Sequence, residues 1–135
     1  MRTKQVRLEK LKYEYELIIS KQFDTRLKKK YILFDFSTVK IFENFVYRIN
    51  IKENINLEKK ELTFNIEGLS APKISLPNTG SAGYQFKLYD FKNTTYLLNL
   101  KKQKKKKSKF EFKITTTSVK LMKKPPKTFI NVFTQ

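Results

Sequence analysis

The chain predicts an all-β fold, a sandwich of two antiparallel sheets, and three observations carry that expectation. Apolar residues recur at every second position in almost every segment, the period of a strand with one buried face. Clusters of Pro, Gly, Asn, Asp, Ser and Thr, or runs of lysine, interrupt these segments at short intervals, as turns do. No long stretch carries apolar residues at helical spacing. Two sheets packed face to face give each apolar face a partner.

The elements follow in order. Leu11, Tyr13, Tyr15, Leu17 and Ile19 alternate with Lys12, Glu14, Glu16 and Ile18 in the first strand. "YILFDF" at 31–36 is the second, with "KQFDTRLKKK" as the connection before it. Phe45, Tyr47, Ile49 and Ile51 alternate next. Over 39–46 a single helical turn is the alternative, because Ile41, Phe42, Phe45 and Val46 share a helix face. Leu62, Phe64 and Ile66 form a strand stopped by Glu67-Gly68. Ile74 and Leu76 follow Pro72, which suits a strand's first residue or a sheet edge. Tyr84, Phe86 and Leu88 alternate, "DFKNTT" turns the chain, and Tyr96, Leu98 and Leu100 alternate again. Phe110, Phe112 and Ile114 form a strand, then Val119 and Leu121. In the last strand Phe129, Asn131 and Phe133 face one way and Ile130, Val132 and Thr134 the other. Nine or ten short strands result, in one domain spanning 1–135: N-terminal strands over 1–50, then a core over 60–135.

Composition removes whole classes of function. With 39% hydrophobic and 14% aromatic residues the chain is too apolar to stay disordered. It has no Cys, His or Trp, so disulfides, Cys/His zinc sites, thiol nucleophiles and Ser-His-Asp chemistry are excluded. No segment approaches the roughly 20 apolar residues of a membrane span. The basic start has no continuous apolar region of a secretion signal, so the default expectation is cytoplasmic. Glu14 and Glu16 share a strand face, but it is the polar one. The expectation is a non-enzymatic protein with no cofactor and no metal.

The net charge is +18 and unevenly placed. Residues 1–67 carry 15 basic and 10 acidic side chains; residues 68–135 carry 15 basic and only Asp90 and Glu111. Such a density favours an acidic partner. Its peak is "KKQKKKKSK", which offers Lys101, Lys102, Lys104, Lys105, Lys106, Lys107 and Lys109 as a clamp on nucleic acid or another polyanion. The same run also serves as a solvated hairpin tip that discourages edge pairing. No aromatic residue interleaves for base stacking.

A second candidate is "SLPNTGSAGYQF" at 75–86, which holds two of the three glycines. Pro77-Asn78-Thr79-Gly80 is a good turn, and Ser81, Ala82 and Gly83 leave little bulk. The segment resembles the signature loop of chagasin-type inhibitors of papain-like cysteine proteases. That loop has Leu-Pro, a short variable stretch, Asn-Pro-Thr-Thr-Gly, an aromatic, one residue and tryptophan. Leu76 and Pro77 match; Ser81 and Ala82 fall on the threonines, Gly83 on the glycine, Tyr84 on the aromatic and Phe86 on the tryptophan. Thr79-Gly80 replaces Asn-Pro. "KKPPKTFINVFT" is similar to the family's Arg-Pro-Trp loop and closing strand, with Lys124, Pro125 and Pro126 on the three positions. The family's Gly-x-Gly-Gly loop has no counterpart; the lysine run stands there.

The resemblance covers residues 60–135. It implies an immunoglobulin-like antiparallel β-sandwich, here with extra N-terminal strands. It also implies a binding module whose loops converge at one tip to occlude a protease cleft. On that reading Asn78, Thr79, Gly80, Ser81, Ala82, Gly83, Tyr84, Lys124, Pro125 and Pro126 contact a protein partner. A structural subunit of a larger assembly, pairing through its N-terminal strands, is a further reading.

Overall fold

The computed structural model describes residues 13–42, 48–70 and 80–135, with backbone alone at 41–42 and 80–82. Among these residues there are nine strands: β1 (Tyr15–Asp24), β2 (Lys29–Phe42), β3 (Arg48–Asn56), β4 (Glu61–Ser70), β5 (Gly80–Leu88), β6 (Thr95–Lys102), β7 (Lys106–Ile114), β8 (Val119–Lys123) and β9 (Ile130–Thr134). They form one mixed sheet in the order β8-β7-β6-β4-β3-β5-β2-β1-β9. The sheet curls until its edge strands β8 and β9 approach each other without a ladder between them. The result is a barrel closed except for that seam.

The expected two-sheet antiparallel sandwich, with its immunoglobulin-like form, is therefore corrected. Three parallel pairings make the difference: β1 with β9, β4 with β6, and β3 with β5. Alternation of apolar residues specifies which face of a strand is buried, and it is silent on which strands are neighbours. β1 and β2 are not additions to a core, because they lie between β5 and β9. The β3–β5 junction is the thinnest point, a single bridge between Arg48 and Gly83.

Several boundaries also move. β1 runs on through Lys21 and Phe23 to Asp24, and β2 starts at Lys29. Most of the expected connection between them is ladder. At 39–42 the chain is strand rather than a helical turn; 43–47 lie outside the described residues. Gly68 does not stop β4. The strand continues to Ser70 through a bulge that leaves Glu67 without a partner, where Gly68 has φ of 151°. The strand expected around Ile74 and Leu76 lies outside the described residues.

The inward faces follow the alternation. Leu17, Ile19, Phe34, Phe36, Leu62, Phe64, Leu98, Leu100 and Phe112 are wholly buried. Phe34 is central: its ring lies 5.3 Å from Phe64, 5.9 Å from Phe112 and 6.2 Å from Phe86. These contacts join β2 to β4 and β7 across the interior, and to its ladder neighbour β5. Each such side chain contributes about 1.5–3 kcal/mol by leaving water.

Two hairpins share one turn design. Asp24 Oδ1 accepts the N–H groups of Arg26 (2.9 Å) and Leu27 (3.1 Å), and Lys28 takes a positive φ of 56°. Asn56 Oδ1 accepts the N–H of Lys59 (3.0 Å), and Lys60 takes φ of 56°. An Asx side chain opens each turn and a left-handed lysine closes it.

Strand directions sort the connections. Those at 25–28, 57–60, 89–94 and 115–118 lie at one end of the barrel. The turn at 103–105, the loop at 124–129 and the starts of β1 and β5 lie at the other. The seam is tied at both ends. Lys21 Nζ donates to the carbonyls of Thr115 (2.6 Å) and Thr116 (3.1 Å). Thr128 Oγ1 donates to Ser108 Oγ (2.8 Å) of β7.

Candidate functional site

The lysine run becomes the β6–β7 hairpin. Its turn is unusual in lacking glycine: Gln103 and Lys104 have φ of 52° and 60°, the paired left-handed conformations of a type I′ turn. Lys105 N–H closes it on Lys102 O (2.9 Å). The turn is also docked sideways. Gln103 N–H donates to Ile66 O (2.7 Å), and Lys104 N–H donates to Oδ1 of the buried Asn65 (3.1 Å). The tip is thus a fixed extension of β4, so the cations are carried on ordered backbone.

Period two then divides the lysines. Ser108, Phe110, Phe112 and Ile114 are buried inside, so Lys107, Lys109, Glu111 and Lys113 point outward. Tyr96, Leu98 and Leu100 are buried, so Leu97, Asn99 and Lys101 point outward. The register aligns these positions into rows across four strands. One row is Lys107, Lys101, Asn65 and Lys52. The next is Lys109, Asn99, Thr63 and Asn54. Beyond them Lys113 stands opposite Lys120 on β8. Lys102 and Lys106 face the other way, toward the barrel mouth, where Lys102 Nζ is paired with Glu14 Oε1.

Lys101 and Lys107 are directly opposed, as are Lys113 and Lys120. Like charges placed so are destabilising. The only acid on the outer face of β7, Glu111, lies 3.8 Å from Lys123. The centre of the face is polar and neutral. Asn99 Nδ2 donates to Glu61 Oε2 and Thr63 Oγ1, both at 3.3 Å. Its Oδ1, buried, is the one such side-chain acceptor without a hydrogen-bond partner among the described residues.

The Lys124–Pro126 segment adjoins this face. A groove of about 270 Å³ runs between Lys109, Phe110, Glu111, Lys123 and Pro125. A second, of about 320 Å³, lies on the far side of the loop against Pro126, Thr128 and Ile130. Lys109 of one candidate set and Lys124 and Pro125 of the other therefore share a wall.

The remaining candidates sit elsewhere. Asn78 and Thr79 lie outside the described residues. Gly80, Ser81, Ala82 and Gly83 belong to β5, and Gly80, Ser81 and Gly83 pair with Phe42, Ile41 and Ser37 of β2 across an irregularity. Tyr84, expected on a partner-facing loop, turns inward. Its ring lies 6.1 Å from Phe36, and its hydroxyl donates to Glu53 Oε2 across the β3–β5 gap. Burial, and then Glu53, push its pKa up to about 12. β5 starts at the same end of the barrel as the 124–129 loop, but on the opposite wall.

Lys52, Thr63, Asn65 and Asn99 are members of the face that the sequence reading missed. Their outward parity is visible in the alternation; their assembly with the lysines depends on the parallel β4–β6 pairing, which has no local signal. Among the described residues no group of Asp and Glu side chains is placed to hold a metal ion, and no helix is long and apolar enough to cross a membrane. Compared with protein-family models, curated proteins and solved structures, the chain matches none.

Proposed function

We propose that this protein binds the phosphate backbone of nucleic acid on the outer face of β4, β6 and β7. The observation that carries the reading is the directly opposed pair Lys101 and Lys107, continued by Lys109 in the next row. A phosphate between two such cations replaces their repulsion with two attractions. The hydrogen bonds from Gln103 and Lys104 to β4 hold the cations in place before any ligand arrives, which lowers the ordering cost of binding. The described outer face offers no aromatic platform, so the contacts are to backbone and sequence discrimination is weak. A protein partner engaging both Gly83 and Pro125 has to span the barrel mouth, since they stand on opposite walls.

The test is binding to duplex DNA over a salt series. Affinity falls with salt, and the triple variant Lys101→Gln/Lys107→Gln/Lys109→Gln reduces the log–log slope by about 1 for each phosphate it no longer neutralises. An unchanged slope in that variant refutes the reading.

A further inference from the structure

The opposite end of the barrel carries a different device. Phe23 and Leu27, both in the β1–β2 hairpin, are each 55% exposed, the most exposed large apolar side chains among the described residues. The same hairpin carries Arg26, Lys28, Lys29 and Lys30, with Lys30 opposite Phe23 in the ladder. Lys29 lies 4.0 Å from Asp90, a loose pair in which both side chains are well exposed. The hairpin's own acid, Asp24, is engaged internally. Its Oδ1 holds the backbone of Arg26 and Leu27, and its Oδ2 accepts the Tyr89 hydroxyl at 2.9 Å. Tyr89 in turn packs on Tyr31, 5.2 Å between rings. The tip is therefore braced, and it presents two apolar side chains to water in a cationic hairpin.

We infer that this hairpin docks the protein onto an anionic lipid surface, with Phe23 and Leu27 entering the headgroup region. None of the described grooves is lined by Phe23 or Leu27. A soft, negatively charged surface meets both features at once: it takes up isolated apolar side chains and attracts the hairpin's cations. Isolated exposed apolar residues are ordinary on protein surfaces. Two on one braced tip, with Arg26, Lys28, Lys29 and Lys30 in the same hairpin, form an interfacial anchor. Because Asp24 already orders the turn, docking requires little further loss of backbone freedom.

The experiment is co-sedimentation of the full chain with phosphatidylcholine vesicles containing about 30% phosphatidylserine, against phosphatidylcholine alone. Expected is binding to the mixed vesicles only, lost about tenfold or more in Phe23→Ser/Leu27→Ser. Both residues are exposed, so that variant keeps the wild-type unfolding temperature. The Lys101→Gln/Lys107→Gln/Lys109→Gln variant retains vesicle binding, which separates this surface from the nucleic-acid face. Four results overturn the inference: no wild-type binding, equal binding to neutral vesicles, wild-type binding by the Phe23/Leu27 variant, or loss of binding in the lysine-face variant. A fifth is a wild-type dimer on size exclusion that the Phe23/Leu27 variant dissociates, because the tip then seats a second copy.

Discussion

Lys102 at the end of β6 and Glu14 just before β1 form an ion pair across the mouth of the barrel, joining walls that are far apart around the sheet. The pair separates Lys102 from Lys101, Lys107 and Lys109, which point outward. Lys102→Gln is therefore expected to leave DNA affinity close to wild type, whereas Lys107→Gln weakens it. Its effect falls on stability instead. The Glu14 side chain is half exposed, so the loss is under about 1 kcal/mol and shrinks with added salt. Urea unfolding of Lys102→Gln and Glu14→Gln at low and high salt measures it.

The turn at Gln103 and Lys104 is strained by its side chains. Both residues hold positive φ, a conformation that Asn and Gly adopt with less cost. Gln103→Asn/Lys104→Gly is expected to raise stability by about 1 kcal/mol. The urea midpoint should rise without a change in slope.

Gly68 and Gly83 respond differently to alanine. At Gly68 a Cβ meets nothing within 4 Å, but φ is 151°, a region open almost only to glycine. Gly68→Ala is expected to cost about 1–3 kcal/mol through the backbone. At Gly83 a Cβ meets Phe36 O at 3.5 Å, ordinary contact, with no positive φ. Gly83→Ala stays within about 1 kcal/mol of wild type. A thermal melt of each variant distinguishes the cases.

Tyr84 seals the β3–β5 gap through its hydroxyl, and its pKa is raised to about 12. A raised folded pKa means that the contribution is whole below the ordinary tyrosine value near 10. It is lost as the pH climbs through about 12. Tyr84→Phe is expected to lower stability by about 1 kcal/mol at neutral pH, a difference that vanishes at high pH. Spectroscopic titration of phenolate should lose one group from the phase near pH 12.

Much of the core was legible from single residues. The buried sets Leu17 and Ile19, Phe64 and Ile66, and Phe110 and Phe112 are the ones their alternation marks, because period two leaves no choice of face. Turns were harder. Lys28 and Lys60 occupy left-handed positions where Asn or Gly is the usual sign, so neither turn is marked by the residue that closes it. Gly80 to Gly83 misled in the opposite direction: small residues of low strand propensity signalled a loop, yet they extend β5 against β2. The lysines of the face were plain to see, and so was their parity. What stayed hidden was Asn65 and Asn99 beside them, because strands that are not consecutive must first be paired.

The seam between β8 and β9 and the parallel union of β1 with β9 set an order of events during synthesis. The earliest strand of the sheet waits for the latest before its outer edge is covered. Until β9 has been made and paired, β1 displays an unpaired row of N–H and carbonyl groups flanked by Leu17 and Ile19. Nascent chains of this architecture are therefore most prone to misassociate in the interval before β9 pairs, and a chaperone that shields a bare strand edge is most useful to them then.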